Sequence, residues 1–352
     1  MKSFNNMHDK GKVLSIIVPF FNSKNKCNKL LQTLAKIEDD EIELIFVDDG
    51  SIDGTLRYLE DYKNVLRCET KIVRQENKGP GGARNYGLNI STAAYVWFVD
   101  SDDDINQEAV DFFKKIYLNG YDFIDFNIQD DSNIYSSITF REGSYVVDDR
   151  AREKLLVRFG RATTKIIKKS ILTENNILYP ENCYYEDNPM NFFYPYHIRA
   201  FYKSDIVGYI YNKESESITR NIKVKKKFYD RMATASYGYS RVCSKAKNSE
   251  EKKIIEDRFI NIYLFGTISS SNCISKAPGP GWVMALRVMK SYREQAIKFR
   301  IDKTPLKKLK KGKRYKSIFL ALWLFSYLLP SQEKYFDRLH MEAWNKPIKY
   351  IY

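Results

Sequence analysis

The sequence predicts an α/β fold: a mostly parallel, Rossmann-like sheet flanked by helices, followed by a mainly helical C-terminal region. Three observations carry this. Continuous apolar runs alternate with stretches of helical periodicity through the first hundred residues, as expected for strands buried on both faces by crossover helices. Three of those runs end in a conspicuous polar sequence. From about Ser215 strand-like runs thin out and helical spacing takes over, as in VMALRVMKSYREQAIKF, Val283–Phe299.

Taken in order, VLSIIVPFF (Val13–Phe21) reads as a first strand ending at Asn22. A helix is expected over roughly Ser23 to Lys36, with Leu30, Leu31 and Leu34 on one side. IELIFV (Ile42–Val47) is a second buried strand that stops at DDGSIDGT, where Asp53 is placed to cap a helix running through Tyr62. A third strand is expected near Lys71–Arg74, then a helix after the glycines of NKGPGGARNYG. The strand YVWFV (Tyr95–Val99) feeds four carboxylates, Asp100, Asp102, Asp103 and Asp104. In open α/β sheets ligands bind outside the carboxyl ends of the strands. PFFN, DDGS and DSDD all fall there, so three polar strand ends are expected to build one site.

Composition narrows the class. The 352 residues are 43% hydrophobic, enough for a packed core. The five cysteines are scattered and never form C-x-x-C, which argues against a disulfide framework or a zinc site and suits a reducing compartment. Three distant histidines, His8, His197 and His340, argue against a histidine-rich metal site. The N-terminal MKSFNNMHDKGK lacks a signal peptide's apolar core. Net charge is −5 over residues 1–215 and +19 over 216–352, so a catalytic or binding half is expected beside a basic half facing something anionic.

The acidic cluster at Asp100–Asp104 asks for a counter-charge. Mn²⁺ or Mg²⁺ bound by one or two carboxylates and a substrate phosphate is one answer. The plain alternative is a solvated turn, with Asp103 or Asp104 capping a helix that begins near Ile105. DDGSIDGT is also turn-forming, and its spacing is not that of an EF-hand. NKGPGGARNYG is not a P-loop, because no G-K-[ST] closes it. Its glycines either bring backbone close to a diphosphate or make a tight turn before a helix.

Together the segments are more specific. VPFFN, ELIFVDDGSIDGT, ENKGPGGARNYGL and YVWFVDSDDDI occur in this order within the first 105 residues. The chain resembles the family 2 nucleotide-sugar glycosyltransferases of GT-A fold, particularly bacterial surface-polysaccharide enzymes. YYEDNPMNFF (Tyr184–Phe193) resembles the family's E-D motif. YIYNKESESITR (Tyr209–Arg220) resembles its Y-x-Y…G-S-I-T ending, with Glu216 where glycine is usual.

The resemblance implies an N-terminal GT-A catalytic domain over 1–215 and a basic helical region over 216–352 serving acceptor, membrane or self-association. It implies an inverting transferase that moves a sugar from a nucleotide-diphosphate donor, with UDP the expected carrier, to a hydroxyl of a glycan or lipid-linked glycan. Pro19, Phe21 and Asn22 would lie at the nucleobase, with Phe21 standing where tyrosine is more common. Asp49 would accept from the base's imide N–H. Asn77, Gly79 and Arg84 would face phosphate or sugar. Asp100 and Ser101 would hold the ribose region, and Asp102 with Asp100 would bind Mn²⁺ or Mg²⁺. Glu186 would adjoin the sugar and Asp187 would be the general base. The plain reading of Glu186–Asp187 is a helix N-terminus with Asp187 as its cap. Inverting displacement needs a base on the face opposite the departing diphosphate, and two separated acidic motifs suit that division.

Lys303–Lys316 holds eight basic residues and no acidic one, and IFLALWLFSYLL (Ile318–Leu329) follows. Twelve apolar residues are too few to span a bilayer, which takes about twenty. Peripheral attachment to an anionic membrane, at the inner face of the cell membrane, is expected ahead of a buried core helix. Nucleic acid is not expected, since no nucleic-acid motif is present. A homo-oligomer is open. Two rivals remain: a protein that binds the nucleotide sugar without turnover, and a nucleotidyltransferase. The second usually has a glycine-rich loop after its first strand, where this chain has PFFN.

Overall fold

The computed structural model describes residues 11–131, 133–212, 229–269, 281–301, 305 and 313–351. The elements of the first part are β1 (Leu14–Phe20), α1 (Asn28–Leu34), β2 (Ile42–Asp48), α2 (Thr55–Tyr62), β3 (Glu69–Arg74), α3 (Gly79–Ile90) and β4 (Tyr95–Phe98). Next come β5 (Asp104–Ile105), α4 (Gln107–Ile116), β6 (Phe123–Asp130), β7 (Asn133–Ser136), β8 (Gly143–Val146) and α5 (Asp149–Val157). They are followed by β9 (Lys165–Lys168), α6 (Lys169–Thr173), α7 (Met190–Phe193) and β10 (Ala200–Tyr211). The described strands form one sheet in the order β3-β2-β1-β4-β9-β6-β10-β5, with β7 added to β6 and β8 to β10.

The first four strands are parallel, with β1 between β2 and β4. Beyond β4 the sheet is mixed. β9 runs antiparallel to both β4 and β6, and β10 is parallel to β6. The parallel half explains the continuous apolar runs. Ile16 and Val18 of β1 face one core with Leu44, Phe46 and Trp97, while Ile17 faces the other with Ile45, Val47 and Phe98. Alternate residues of each strand are thus buried on opposite faces.

The first face is covered by α1, α2 and α4 through Leu30, Leu31, Leu34, Leu59 and Phe113. The second is covered by α3, α5 and α7 and by the C-terminal helices α8 (Asp230–Val242), α9 (Ser249–Ile260), α10 (Gly266–Ser269), α11 (Gly281–Phe299), α12 (Lys313–Phe325) and α13 (Glu333–Trp344). One apolar core on this face runs from Ile17 to Leu339. The expected boundary near residue 215 and the SITR ending fall outside the described residues. So does most of the basic stretch 303–316.

Several local expectations change. The first helix starts at Asn28 rather than Ser23, because Ser23 is held in a turn by Thr55 Oγ1, which accepts its N–H at 2.9 Å. The glycine run lies inside α3 rather than before it. Neither Asp103 nor Asp104 caps the next helix. Asp104 and Ile105 pair with β10, and Asn106 caps α4 by accepting from the Glu108 N–H. Pro189, not Asp187, stands at the N-cap position of α7. Asp53 accepts from the Thr55 N–H at 3.0 Å, although Gly54 occupies the cap position itself.

Gly87 lets α3 approach β1: a Cβ there would lie 2.3 Å from Ile17 Cγ2. Gly→Ala in an unobstructed helix interior stabilises by about 0.5–1 kcal/mol. Here the overlap outweighs it, because overpacking costs about 1–3 kcal/mol. Gly87→Ala is therefore expected to lower the denaturation midpoint; a raised midpoint would show that α3 has room to move.

Candidate active site

The parallel pairing sets the site. Phe20 is in register with Asp48, and Asp48 with Arg74. The loops leaving β1, β2, β3 and β4 therefore share one edge of the sheet. Asn22, in a left-handed conformation (φ 49°), ties two of them together. Its Oδ1 accepts from the Ile52 N–H at 3.0 Å, and its own N–H donates to Ser51 Oγ at 2.9 Å. Phe21 is 44% exposed at this edge, an open ring face. Pro19 is half-buried within β1.

Asp49 is buried beneath the loop after β3. Its Oδ1 accepts from Gln75 Nε2 at 2.7 Å and from the Lys78 N–H at 2.9 Å. Burial raises its pKa to about 6 against those hydrogen bonds. The Asn77 side chain accepts from the Gly79 N–H at 3.3 Å, at the start of α3.

The four aspartates after β4 divide into two pairs. Asp103 and Asp104 are buried. Asp103 accepts from the Tyr209 hydroxyl at 2.6 Å and the Asn212 N–H at 2.9 Å. Its pKa is raised to about 7, first by burial and then by Asp100. Asp104 accepts from the Ile105 N–H. Asp100 and Asp102 remain half-exposed. Ser101 is buried, and its hydroxyl meets Ser23 Oγ at 2.9 Å.

Arg84 joins the two acidic motifs. Its guanidinium donates to Asp100 Oδ1 at 2.7 Å and, through the other terminal nitrogen, to Glu186 Oε1. It lies 5.3 Å from the centre of the Tyr179 ring. Burial opposes its charge, but Asp100 and Glu186 outweigh burial and hold its pKa well above the ordinary value. Both terminal nitrogens of the buried Arg84 thus engage carboxylates.

Glu186 is buried, and its pKa is raised by burial against the pull of Arg84. Asp187, next to it, reaches solvent while protein walls most of its surroundings. Crowding out of water raises its pKa; Asp100 adds to the rise, and Arg84 and Arg161 oppose it. Arg84 thus joins Asp100 of the D-x-D run to Glu186 of the E-D pair. Among the described residues, no cluster of three or more His, Cys, Asp or Glu side chains is placed to enclose a metal.

Sequence reasoning missed Gln75 and Tyr209 as partners of the aspartates. Tyr209 lay inside a quoted motif, while Gln75 carries no local signal. A cavity of about 560 Å³ opens among α8, α11 and α13, lined by Tyr229, Tyr237, Glu294 and Asp337 among others. It shares no residue with the acidic crevice, so the polar strand ends, not that cavity, mark the candidate site.

Comparison with known proteins bears on this geometry. Residues 15–179 match the family model described as Glycosyl transferase family 2. Poly(ribitol-phosphate) beta-N-acetylglucosaminyltransferase TarS of Staphylococcus aureus (strain Mu50 / ATCC 700699) is 33% identical over 175 residues, 47% of this chain and 29% of that protein. Minor teichoic acid biosynthesis protein GgaA of Bacillus subtilis (strain 168) is 38% identical over 110 residues, 29% of this chain and 25% of that protein. The matches thus span under a third of the length of these curated relatives. The crystal structure of S. aureus TarS 1-349 in complex with UDP-GlcNAc is similar with a TM-score of 0.64 at 24% identity, covering 90% of this chain and 91% of that one. That likeness is one of fold, and it extends through the C-terminal helices. Residues 15–179 thus resemble the family 2 glycosyltransferases, and the chain shares the fold of the TarS structure.

Proposed function

We propose that the protein is an inverting glycosyltransferase. It moves a sugar from a nucleotide diphosphate, with UDP as carrier, to a hydroxyl of a surface glycan or lipid-linked glycan acceptor. The observation that carries this is the Arg84 bridge, which sets Asp100 of the D-x-D run and Glu186 of the E-D pair on one guanidinium. The relatives' names support the reading. One acts on poly(ribitol-phosphate) with N-acetylglucosamine, and another of Bacillus spizizenii is a poly(ribitol-phosphate) beta-glucosyltransferase. A polyol-phosphate glycan is accordingly the acceptor class we favour.

Phe21 stacks on the nucleobase, Pro19 and Asn22 flank it, and Asp49 accepts its imide N–H. The Asn77–Gly79 backbone lies toward the diphosphate. Asp100 and Asp102 would hold a divalent cation, Mn²⁺ or Mg²⁺. The donor set fits: two half-exposed carboxylates suit an ion that takes its remaining oxygens from water and phosphate. Such an ion, when bound, offsets charge on the departing diphosphate. Arg84 holds Asp100 and Glu186 in place. Asp187 takes the proton from the acceptor hydroxyl as it attacks the anomeric carbon.

The raised pKa of Asp187 brings a base closer to neutral pH, where it accepts a proton more effectively. Protonated Asp187 cannot act as the base. Transfer is therefore expected to fall as pH drops through that raised value, on a limb above the ordinary aspartate range of about 3.9. Asp187→Asn is expected to cut transfer by about 10²–10⁴-fold while donor affinity stays within a few-fold. Transfer by the variant at near wild-type rate would remove Asp187 from the role.

We also propose peripheral attachment to an anionic membrane, at the inner face of the cell membrane. Support comes from α12 and the turn after it. Phe319 and Trp323 are buried there, but Ile318, Leu324, Phe325 and Leu328 are 53%, 58%, 61% and 82% exposed. The basic run 303–316 adjoins them in sequence. Each basic residue near such a surface contributes about 1 kcal/mol. Among the described residues, no helix is long and apolar enough to cross a membrane. The protein is expected to sediment with anionic vesicles at low salt and to be released at high salt. Equal recovery in the supernatant with and without vesicles would sink this, and self-association through the same face would leave a salt-insensitive dimer instead.

A further inference from the structure

The last helix and the tail after it reach back to the crevice. Asn345 ends α13 in a left-handed conformation (φ 53°), with its N–H donating to Met341 O at 2.8 Å. The chain then turns onto the sheet half. Lys349 and Glu181 exchange backbone hydrogen bonds of 2.9 and 3.1 Å, and Lys349 Nζ lies 3.2 Å from Glu181 Oε2. Asn182 Nδ2 donates to Pro347 O at 3.1 Å, while its own N–H donates to Lys78 O at 2.6 Å. Lys346 Nζ donates to Asn77 O at 3.3 Å and pairs with Glu76 at 3.1 Å. The tail therefore holds both the loop that carries Asn77 and Gly79 and the loop that leads to Glu186 and Asp187.

Trp344 is the side chain where these contacts converge. Its ring edge packs on Gly79, at φ 76°: a Cβ there would lie 3.0 Å from the indole. It meets the Tyr184 ring edge-to-face at 5.0 Å. Its indole N–H donates at 2.9 Å to Asp230 Oδ2. Asp230 is fully buried at the first turn of α8 and also accepts from the Tyr184 N–H at 2.9 Å. His340 Nδ1 lies 2.7 Å from the other carboxylate oxygen. A carboxylate only accepts, so the proton belongs on Nδ1. One buried carboxylate thus ties two C-terminal helices and the backbone of the acidic loop to a single point. Three such hydrogen bonds to a buried charge make a stiff anchor.

We propose that Trp344 is a positioning residue for sugar transfer: anchored by Asp230, it fixes the Gly79 loop relative to the Tyr184–Asp187 loop, and so the donor relative to the base. This rests on the glycosyltransferase reading. It makes a residue of the last helix part of the site. A misplacement of about 1 Å costs on the order of 100-fold in rate, so a loosened anchor acts on catalysis before it unfolds the protein.

The test is Trp344→Ala and Trp344→Phe in the full chain, with two readouts. The first is steady-state transfer from UDP-GlcNAc, at a temperature where both variants are folded by circular dichroism. Trp344→Ala is expected to lower kcat/KM by about 10- to 100-fold, with kcat falling as well as donor KM rising. Trp344→Phe keeps a ring against Gly79 and Tyr184 and is expected to recover most of that loss. The second readout is hydrogen exchange of the Asn182 and Tyr184 amides, which needs no activity. Both are expected to exchange faster in Trp344→Ala while β1 and β2 are unchanged. Unchanged exchange at these amides would overturn the proposal, as would wild-type kinetics in Trp344→Ala. A wild-type protein that transfers nothing would instead count against the glycosyltransferase reading, leaving the exchange result to decide on the anchor.

Discussion

A single buried guanidinium organises the candidate site. Arg84 sits between Asp100, which follows β4, and Glu186, which precedes α7. Two neighbouring carboxylates repel one another, and without the cation between them one would be driven to take up a proton. Removing Arg84 would leave Glu186 buried without its counter-charge, which is destabilising. The same contact fixes distance: it holds the D-x-D turn and the E-D loop to one crevice. Charge balance and the geometry of the candidate site therefore have a common origin in this protein.

The rest of the fold serves that arrangement. Four parallel strands bring polar loops to one edge, and burial on both faces keeps them rigid. The helices after Asp230 complete one face through a core that runs from Ile17 to Leu339. They also reach the crevice itself, through Trp344 and the tail that pairs with Glu181. The C-terminal region is thus more than a carrier of basic charge.

What the sequence revealed follows from how local each signal is. β1 and β2 were legible because a strand buried on both faces leaves a continuous apolar run. The aspartates were legible because strand ends in such sheets collect ligands. Partnerships were not. Arg84 and Glu186 lie 102 positions apart, and Trp344 and Asp230 lie 114 apart. No periodicity marks a pairing at that range. Nor did residue type tell Asp100 from Asp103: both stand in one acidic run, yet Tyr209 draws Asp103 inward while Asp100 stays half-exposed. The mixed half of the sheet was missed for a related reason, since the short strands β5, β8 and β9 take their direction from their neighbours.

The most direct measurement is a crystal structure of the protein with UDP and Mn²⁺ bound. The ion is expected against Asp102 and Asp100, the base on Phe21 above Asp49, and Arg84 still bridging Asp100 and Glu186. Asp187 should stand open on the side away from the diphosphate. Nucleotide and ion found together outside this crevice, with the strand-end aspartates uninvolved, would contradict it.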